Sequence, residues 1–204
     1  GPNGFTASTA DISGLMAGLY ALTATDANGC MQTTTISLVA PPPLSATLAL
    51  GDFADGSNIS CSGSNDGSIQ IDPVGGSSPF NVAWSGPAGF TSDDWQITGL
   101  APGVYTAVVT DINGCSLIVD TTLTAPAPIA LSATAVDAAC HNGATGSIDI
   151  SVSGGAGGYI HQWSGPGAFT DTAEDVTGLA AGSYAVVVTD ANGCSAFTNA
   201  KIGR

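Results

Sequence analysis

The chain repeats itself, and this repetition constrains its fold more than any other feature of the sequence. A Gly-Leu-x-x-Gly-x-Tyr motif begins at Gly14, Gly99 and Gly178, and each copy leads into Thr-Asp-x-Asn-Gly-Cys. The closing cysteines are 85 and then 79 residues apart. An upstream half, which runs from a cysteine to a tryptophan, occurs only twice. The sequence therefore predicts serial units of the same fold.

The repeats divide the 204 residues into a half unit and two complete units. We expect residues 1–40 to be the C-terminal half of a first repeat, and residues 41–125 and 126–204 to be the complete second and third repeats. The chain then begins within a unit, so we expect it to be a piece of a longer array. Proline-rich joints, Pro41–Pro43 and Pro126–Pro128, begin the complete units. Because proline fixes φ and lacks a donor, these joints should be stiff.

Within each unit the hydrophobic residues alternate with polar ones. Ile69 and Ile71 in the second unit, and Ile148 and Ile150 in the third, show this period of two, which indicates strands with one buried face. With turn residues every 8–12 residues or so, we predict about seven strands per unit. The expected fold is all-β, with tandem immunoglobulin-like sandwiches arranged as a rod. Six additional residues of the second unit, around Gly51–Gly56, are expected in a loop.

Three kinds of residue support the sandwich. Tyr105 follows a glycine-containing corner, as in the tyrosine corner of Greek-key sandwiches. The alternative is a core aromatic with an exposed hydroxyl. Trp84 and Trp163 fit the core tryptophan of a third strand. Asp111–Gly114 lies between two strand-like runs, and Asn-Gly there indicates a hairpin turn that reaches positive φ.

The five cysteines follow the repeat. Each complete unit has two, at the same spacing of 54 residues: Cys61 with Cys115, and Cys140 with Cys194. This spacing favours disulfides within units, Cys61–Cys115 and Cys140–Cys194, and an oxidising, extracellular setting. Small buried thiols are the alternative. One observation argues against pairing within units: an immunoglobulin-like threading places the turn after the first strand and the last hairpin at opposite ends of the sandwich.

Charge excludes two classes of partner. The chain has 2 Lys and Arg against 16 Asp and Glu, and both cationic residues lie in the last four positions. Nucleic acids and anionic membrane surfaces are bound through Lys and Arg, so neither partner is expected. No apolar run is long enough to span a bilayer. Carboxylates are spread over turns, and nucleophile and phosphate-loop motifs are missing, so we expect no enzyme activity.

Metal and cofactor sites have weak support. Asp52, Asp55, Asn65 and Asp66 cluster near one end of the second unit, as oxygen ligands of calcium do. The alternative is ordinary turn chemistry, in which these side chains cap their own backbone, and the third unit lacks the cluster. Zinc is disfavoured because no Cys-x-x-Cys pair exists and the histidines, His141 and His161, do not recur between units. We expect no cofactor.

Two surface features allow further hypotheses. Trp95 could stack on a sugar, although it shares the parity of Ile97, which indicates a position at the edge of the core. Asp-Thr-Ala at Thr172 and Asp-Thr-Thr at Thr121 resemble a short O-glycosylation signal.

The ordered set of shared residues resembles the SprB repeat. In the third unit this set runs from Cys140 and Gly146-Ser147-Ile148 through Gly154-Gly155 and Trp163 to Gly178-Leu179 and Asp190–Cys194. SprB repeats occur in tandem in very large surface adhesins of Bacteroidota. The resemblance implies type IX secretion, attachment to the cell surface and, in some members, gliding motility. It implies no catalytic or ligand residue.

From these observations we expect a structural stalk segment of a secreted cell-surface adhesin or filament, which extends a distal binding region for adhesion or gliding. Its expected partners are neighbouring repeats, with surface polysaccharide or other filament subunits as further candidates. The alternative is a carbohydrate-binding module array of a secreted polysaccharide-degrading protein, in which Trp95 would contact the glycan.

Overall fold

The structure is a computed structural model that describes residues 1–139 and 143–203. The half unit has strands β1 (Gly18–Thr25) and β2 (Met31–Leu38). The strands of the second unit are β3 (Ser45–Leu50), β4 (Gly67–Val74), β5 (Phe80–Ser85), β6 (Thr91–Ser92), β7 (Gln96–Leu100), β8 (Gly103–Asp111) and β9 (Ser116–Leu123). Those of the third unit are β10 (Ala130–Val136), β11 (Gly146–Ser153), β12 (Ile160–Gly165), β13 (Phe169–Asp171), β14 (Val176–Leu179), β15 (Gly182–Thr189) and β16 (Ser195–Ile202).

Each complete unit is a sandwich of seven strands in two antiparallel sheets. In the second unit a three-stranded sheet, β3-β4-β7, packs on a four-stranded sheet, β6-β5-β8-β9. The third unit repeats this arrangement as β10-β11-β14 and β13-β12-β15-β16. The predicted all-β fold of immunoglobulin-like sandwiches is therefore confirmed, with the expected number of strands.

The core of each unit lies between its two sheets. Ile69 and Ile71 of β4 are fully buried, while Gln70 and Asp72 between and after them are exposed. This alternation follows from the pleat, which turns successive side chains to opposite faces. Trp84 is also buried, and its indole N–H donates to Asp94 O at 3.0 Å. Burial of each such large side chain stabilises the unit by about 1.5–3 kcal/mol.

The tyrosine corner is present in both complete units. The Tyr105 hydroxyl donates to Ala101 O, and the Tyr184 hydroxyl donates to Ala180 O, each at 3.0 Å. The alternative of an exposed hydroxyl is therefore wrong. The Tyr105 ring covers Gly86, where an added Cβ would lie 2.6 Å from the ring atoms. Gly1 and Gly165, which also precede a proline, lie in the same way against Tyr20 and Tyr184. Each of these positions therefore has no room for a side chain.

The half unit forms one antiparallel hairpin. Strands β1 and β2 pair from Gly18 opposite Leu38 to Thr25 opposite Met31. Tyr20 makes the same corner bond, to Met16 O at 2.8 Å. The helical segments of the described chain are 3₁₀ turns of three residues, and none is long or apolar enough to cross a bilayer.

Candidate functional site at the junction of the complete units

The Thr-Asp-x-Asn-Gly-Cys motif of the third unit forms a turn held by its aspartate. Asp190 Oδ1 accepts hydrogen bonds from the backbone N–H groups of Asn192 at 3.0 Å and Cys194 at 2.8 Å. Its other oxygen, Oδ2, accepts from Ala156 N at 2.8 Å. Asp190 is buried, so these bonds fix the position of Cys194 relative to the rest of the unit.

The second unit has the same turn at Asp111. Its carboxylate accepts from the N–H groups of Asn113, Cys115 and Ser77 at 2.9, 2.9 and 3.1 Å. Burial acts to raise the pKa of Asp111, but these donors outweigh it and hold the pKa below its ordinary value. Gly114 takes φ of 83°, which confirms the predicted hairpin turn with positive φ.

Both turns lie at the end of the sandwich where the chain enters the unit, which we call the N-terminal end. In the third unit Gly155 N donates to Ala127 O of the joint at 2.8 Å, and in the second Gly76 N donates to Pro42 O at 2.8 Å. The turn held by the aspartate and the joint therefore lie at the same end of each unit, and in the third unit the cysteine of that turn, Cys194, lies against the second unit.

The first cysteine of the second unit, Cys61, lies at the opposite, C-terminal end. After the loop that follows β3, the N–H groups of Asn58 and Ile59 donate to Thr124 O at 2.9 and 3.1 Å. Thr124 N in turn donates to Asn58 Oδ1 at 3.2 Å. Because Thr124 follows β9, where the chain leaves the unit, these bonds place Cys61 beside the next unit.

A disulfide joins Cys61 of the second unit to Cys194 of the third. Their Cα atoms are 5.7 Å apart across a sequence separation of 133. Both cysteines are half-buried and line an open cleft with the joint at Pro126–Pro128. The bond therefore connects adjacent units at a place that solvent can reach.

The predicted pairings within units, Cys61–Cys115 and Cys140–Cys194, are wrong. Cys115 is a free, exposed thiol, and Cys140 lies outside the described residues. The physical reason is the length of β8 and β9, which run from one end of the unit to the other. A strand of nine residues spans about 30 Å, whereas a disulfide requires Cα atoms within roughly 7 Å. The sequence did indicate this, because an immunoglobulin-like threading places the turn after the first strand and the last hairpin at opposite ends of the sandwich.

The loop between β3 and Cys61 reaches across the junction. Asn192 Oδ1 accepts from Ala54 N at 3.1 Å, and Asn192 Nδ2 donates to Asp55 Oδ1 at 3.1 Å and to Ser60 O at 3.0 Å. Two of these partners belong to the insertion that distinguishes the second unit. Sequence reasoning placed this insertion in a loop but missed its contact with the third unit.

Two of the four residues suggested for calcium, Asp55 and Asp66, have hydrogen-bond partners within the protein. A hydrogen bond from the Ser57 hydroxyl, then one from Asn192, holds the pKa of Asp55 below its ordinary value against the effect of burial. Asp66 accepts from the Ser60 hydroxyl and from Ser60 N, and its pKa is lowered mainly by the hydroxyl. Within residues 1–139 and 143–203, no group of three or more His, Cys, Asp or Glu side chains is placed to hold a metal ion.

Of the two histidines, only His161 lies within the described residues. His141 lies outside the described residues. His161 points into the core from β12, at the place that Val82 occupies in the second unit, and it is buried. Its Nε2 atom has no hydrogen-bond partner among the described residues. The core of the third unit therefore contains a polar atom without a partner among the described residues, at a position where the second unit has an apolar valine.

The surface positions singled out in the sequence lie away from the junction contacts. Trp95 lies between β6 and β7 with 38% of its surface exposed, and its backbone O accepts from Ile71 N at 3.0 Å. Thr172 is exposed just after β13, whereas Thr121 is half-buried within β9. Glycan contact at Trp95 and O-glycosylation at the two threonines stay predictions.

A family model described as the SprB repeat matches residues 54–89 and 132–168. These two segments are what the chain shares with the SprB repeat. The matched segments fall in the first half of each complete unit and include Trp84 and Trp163. The expected resemblance is therefore confirmed. No curated protein matches the chain significantly.

Several solved structures resemble the chain at low identity. The N-terminal eight Ig domains of Down Syndrome Cell Adhesion Molecule are 13% identical, with a TM-score of 0.45, over 91% of this chain and 28% of that one. A tetra-tandem repeat from the extending region of a large adhesion protein is 16% identical, with a TM-score of 0.32, over 94% and 58%. The amphioxus IgVJ-C2 molecule is 12% identical, with a TM-score of 0.32, over 63% and 91%. The chain thus spans about a quarter of the Down Syndrome Cell Adhesion Molecule structure.

Proposed function

We propose that this chain is a stiff stalk segment of a large secreted cell-surface adhesin or surface filament. The stalk holds a distal binding region away from the cell for adhesion or gliding motility. The two segments that match the SprB repeat support an adhesin repeat region. The observation that carries the mechanical role is the covalent bond between units, Cys61–Cys194.

The junction joins the complete units at two covalent points. One is the main chain from Thr124 through Pro126–Pro128, and the other is the disulfide. Units joined only by a linker move relative to each other by default. A second covalent point, placed beside the first and supported by the bonds of Asn192, restricts both bending and twisting. Stiffness of this kind suits a spacer.

The remaining properties agree with an exposed position outside the cell. A disulfide forms and persists in an oxidising compartment. The formal net charge of −14 keeps a long array soluble and makes copies repel one another. We propose repeats at 1–40, 41–125 and 126–204, type IX secretion, and neighbouring repeats as the direct partners. Surface polysaccharide or other filament subunits are further proposed partners.

Small-angle X-ray scattering tests the stalk. A compact chain of this length would have a radius of gyration of roughly 17 Å. Units built on strands of about 30 Å and stacked end to end predict about 25 Å or more. The variant Cys61→Ser/Cys194→Ser should give a broader distribution of distances, and the matched control Cys115→Ser should not. A radius near the compact value would contradict the proposed function.

A further inference from the structure

We propose that the Cys61–Cys194 disulfide is a tension shunt. When the ends of the chain are pulled, the bond carries force from the second unit directly to the third and leaves the residues between the two cysteines without load. This inference gives the proposed stalk a specific mechanical property, and it rests on that function for its biological purpose. Its physical basis is the connectivity of the chain alone.

The loaded path follows one strand in each unit. It enters the second unit at Pro43, runs along β3, continues through residues 51–60 to Cys61, crosses to Cys194, and leaves along β16. Each of these strands runs from the N-terminal to the C-terminal end of its unit. Force therefore acts along segments that are already extended.

Slack in this path is confined to the loop before Cys61. That loop is fixed at Asn58, which bonds to Thr124 at the C-terminal end of the second unit. It is fixed again at Asp55 and Ser60, which bond to Asn192 of the third unit. The insertion therefore braces the path at the point where it crosses between units.

Most of each hydrophobic core lies off the path, and the core residues on it include Ile59 and Ile202. Trp84 and Tyr105 of the second unit, and Trp163 and Tyr184 of the third, all belong to the chain between the two cysteines. Strands β3 and β16 are the outer strands of their sheets. If β3 or β16 detached from its sheet, the loaded path would lengthen only by the stretching of that one strand. The strands between the two cysteines, β4 to β15, would stay folded because they carry no load.

The effect is large compared with the size of a unit. A separation of 133 residues corresponds to about 450 Å of extended chain at ~3.3–3.6 Å per residue. The disulfide replaces this length with a Cα–Cα distance of 5.7 Å. Without it, each complete unit that unfolded in series would become about 280 Å of extended chain in place of a folded unit about 30 Å long. With it, the pair of units keeps nearly constant length under load.

Single-molecule stretching of the full chain tests the shunt. Handles are attached through peptide tags at both ends, because Cys30 and Cys115 are free thiols that would accept maleimide handles. Four samples are compared: the oxidised protein, the same protein in a phosphine reductant, Cys61→Ser/Cys194→Ser, and Cys115→Ser. The last is the matched control, since Cys115 occupies in the second unit the place of Cys194 in the third.

We expect the oxidised protein and the Cys115→Ser control to stretch about 450 Å less than the reduced protein and the double variant. Steps of a whole unit should occur only in the latter two. A full-length extension of the oxidised protein, or loss of the shortening in Cys115→Ser, would overturn the proposal. The comparison holds even if the double variant folds poorly, because it uses the final length of the fully stretched chain. That length depends on the number of residues outside the disulfide loop and not on how well the protein folded before stretching. A compact shape in scattering would reject the stalk but leave this length difference intact.

Discussion

Removal of the disulfide should destabilise both complete units, although it removes little packing from either. In the double variant Cys61→Ser/Cys194→Ser, serine matches the size of each half-buried cysteine. The expected loss comes from the unfolded state. When the third unit unfolds beside a folded second unit, the bond ties Cys194 back to Cys61 and closes the intervening chain into a loop.

The magnitude follows from the size of that loop. The second unit remains folded to Thr124, because Asn58 and Ile59 bond to it. About 70 residues of unfolded chain therefore lie in the loop. Closure of a loop of this size lowers the entropy of the unfolded chain and so raises its free energy by about 4 kcal/mol. Unfolding of the second unit alone closes a loop of similar length from the other side. A loss of this size lowers the melting temperature of each unit by about 15–30 °C.

Calorimetry and tryptophan fluorescence measure this loss. Trp163 is the single tryptophan of the third unit, and Trp84 and Trp95 belong to the second, so a variant without Trp163 separates the two signals. Cys115→Ser is the control and should melt like the unchanged protein, because Cys115 is free and exposed. If the unfolding free energies of the double variant and the control differ by less than about 0.5 kcal/mol, the loop-closure argument is wrong. If Cys115→Ser is the destabilised protein, the bond lies within the unit after all.

Three further results are expected. His161→Val should raise the unfolding free energy of the third unit by about 1–2 kcal/mol in denaturant titration, because it removes a buried, unpaired nitrogen; unchanged or lower stability would show that His161 has a partner. Because the pKa of Asp111 is lowered in the folded protein, its carboxylate stabilises the second unit fully above about pH 4 and loses that effect as pH falls through the folded pKa. The difference in unfolding free energy between the unchanged protein and Asp111→Asn should therefore shrink in acid, and a difference that is constant with pH would contradict this. Finally, in a chain where a second copy of residues 41–125 precedes residue 41, Cys115 of the downstream copy should bond to Cys61 of the upstream copy, since the Asp111 turn repeats the Asp190 turn; peptide mapping that finds Cys115 free would refute it.

The fold could be predicted because its signals are local. Alternation at Ile69 and Ile71 requires only a pleated strand with one buried face, and the structure buries both. Tyr105 with its upstream corner, and Gly114 in the hairpin turn, are likewise set by a few neighbouring residues. The repetition of each pattern in the third unit made the prediction of serial sandwiches secure.

The junction could not be predicted in the same way, because it depends on how one unit stands on the next. The constant spacing between Cys61 and Cys115 reflects the constant size of the fold, and it would be the same for pairing within units and for pairing between them. The insertion at Ala54 and Asp55 was placed in a loop because added loop length costs little. Its bonds to Asn192 depend on the third unit, and no pattern within the second unit records them.

Peptide mapping without reduction is the most direct test of the disulfide that joins the two complete units. Chymotrypsin suits the chain, since tryptic sites occur only at its C-terminal end, whereas aromatic residues separate Cys61, Cys115 and Cys194. The expected result is one disulfide-linked pair of peptides that contains Cys61 and Cys194, with Cys115 recovered as a free thiol. Recovery of Cys61 linked to Cys115, or of Cys61 and Cys194 both as free thiols, would contradict the stiff, covalently joined stalk.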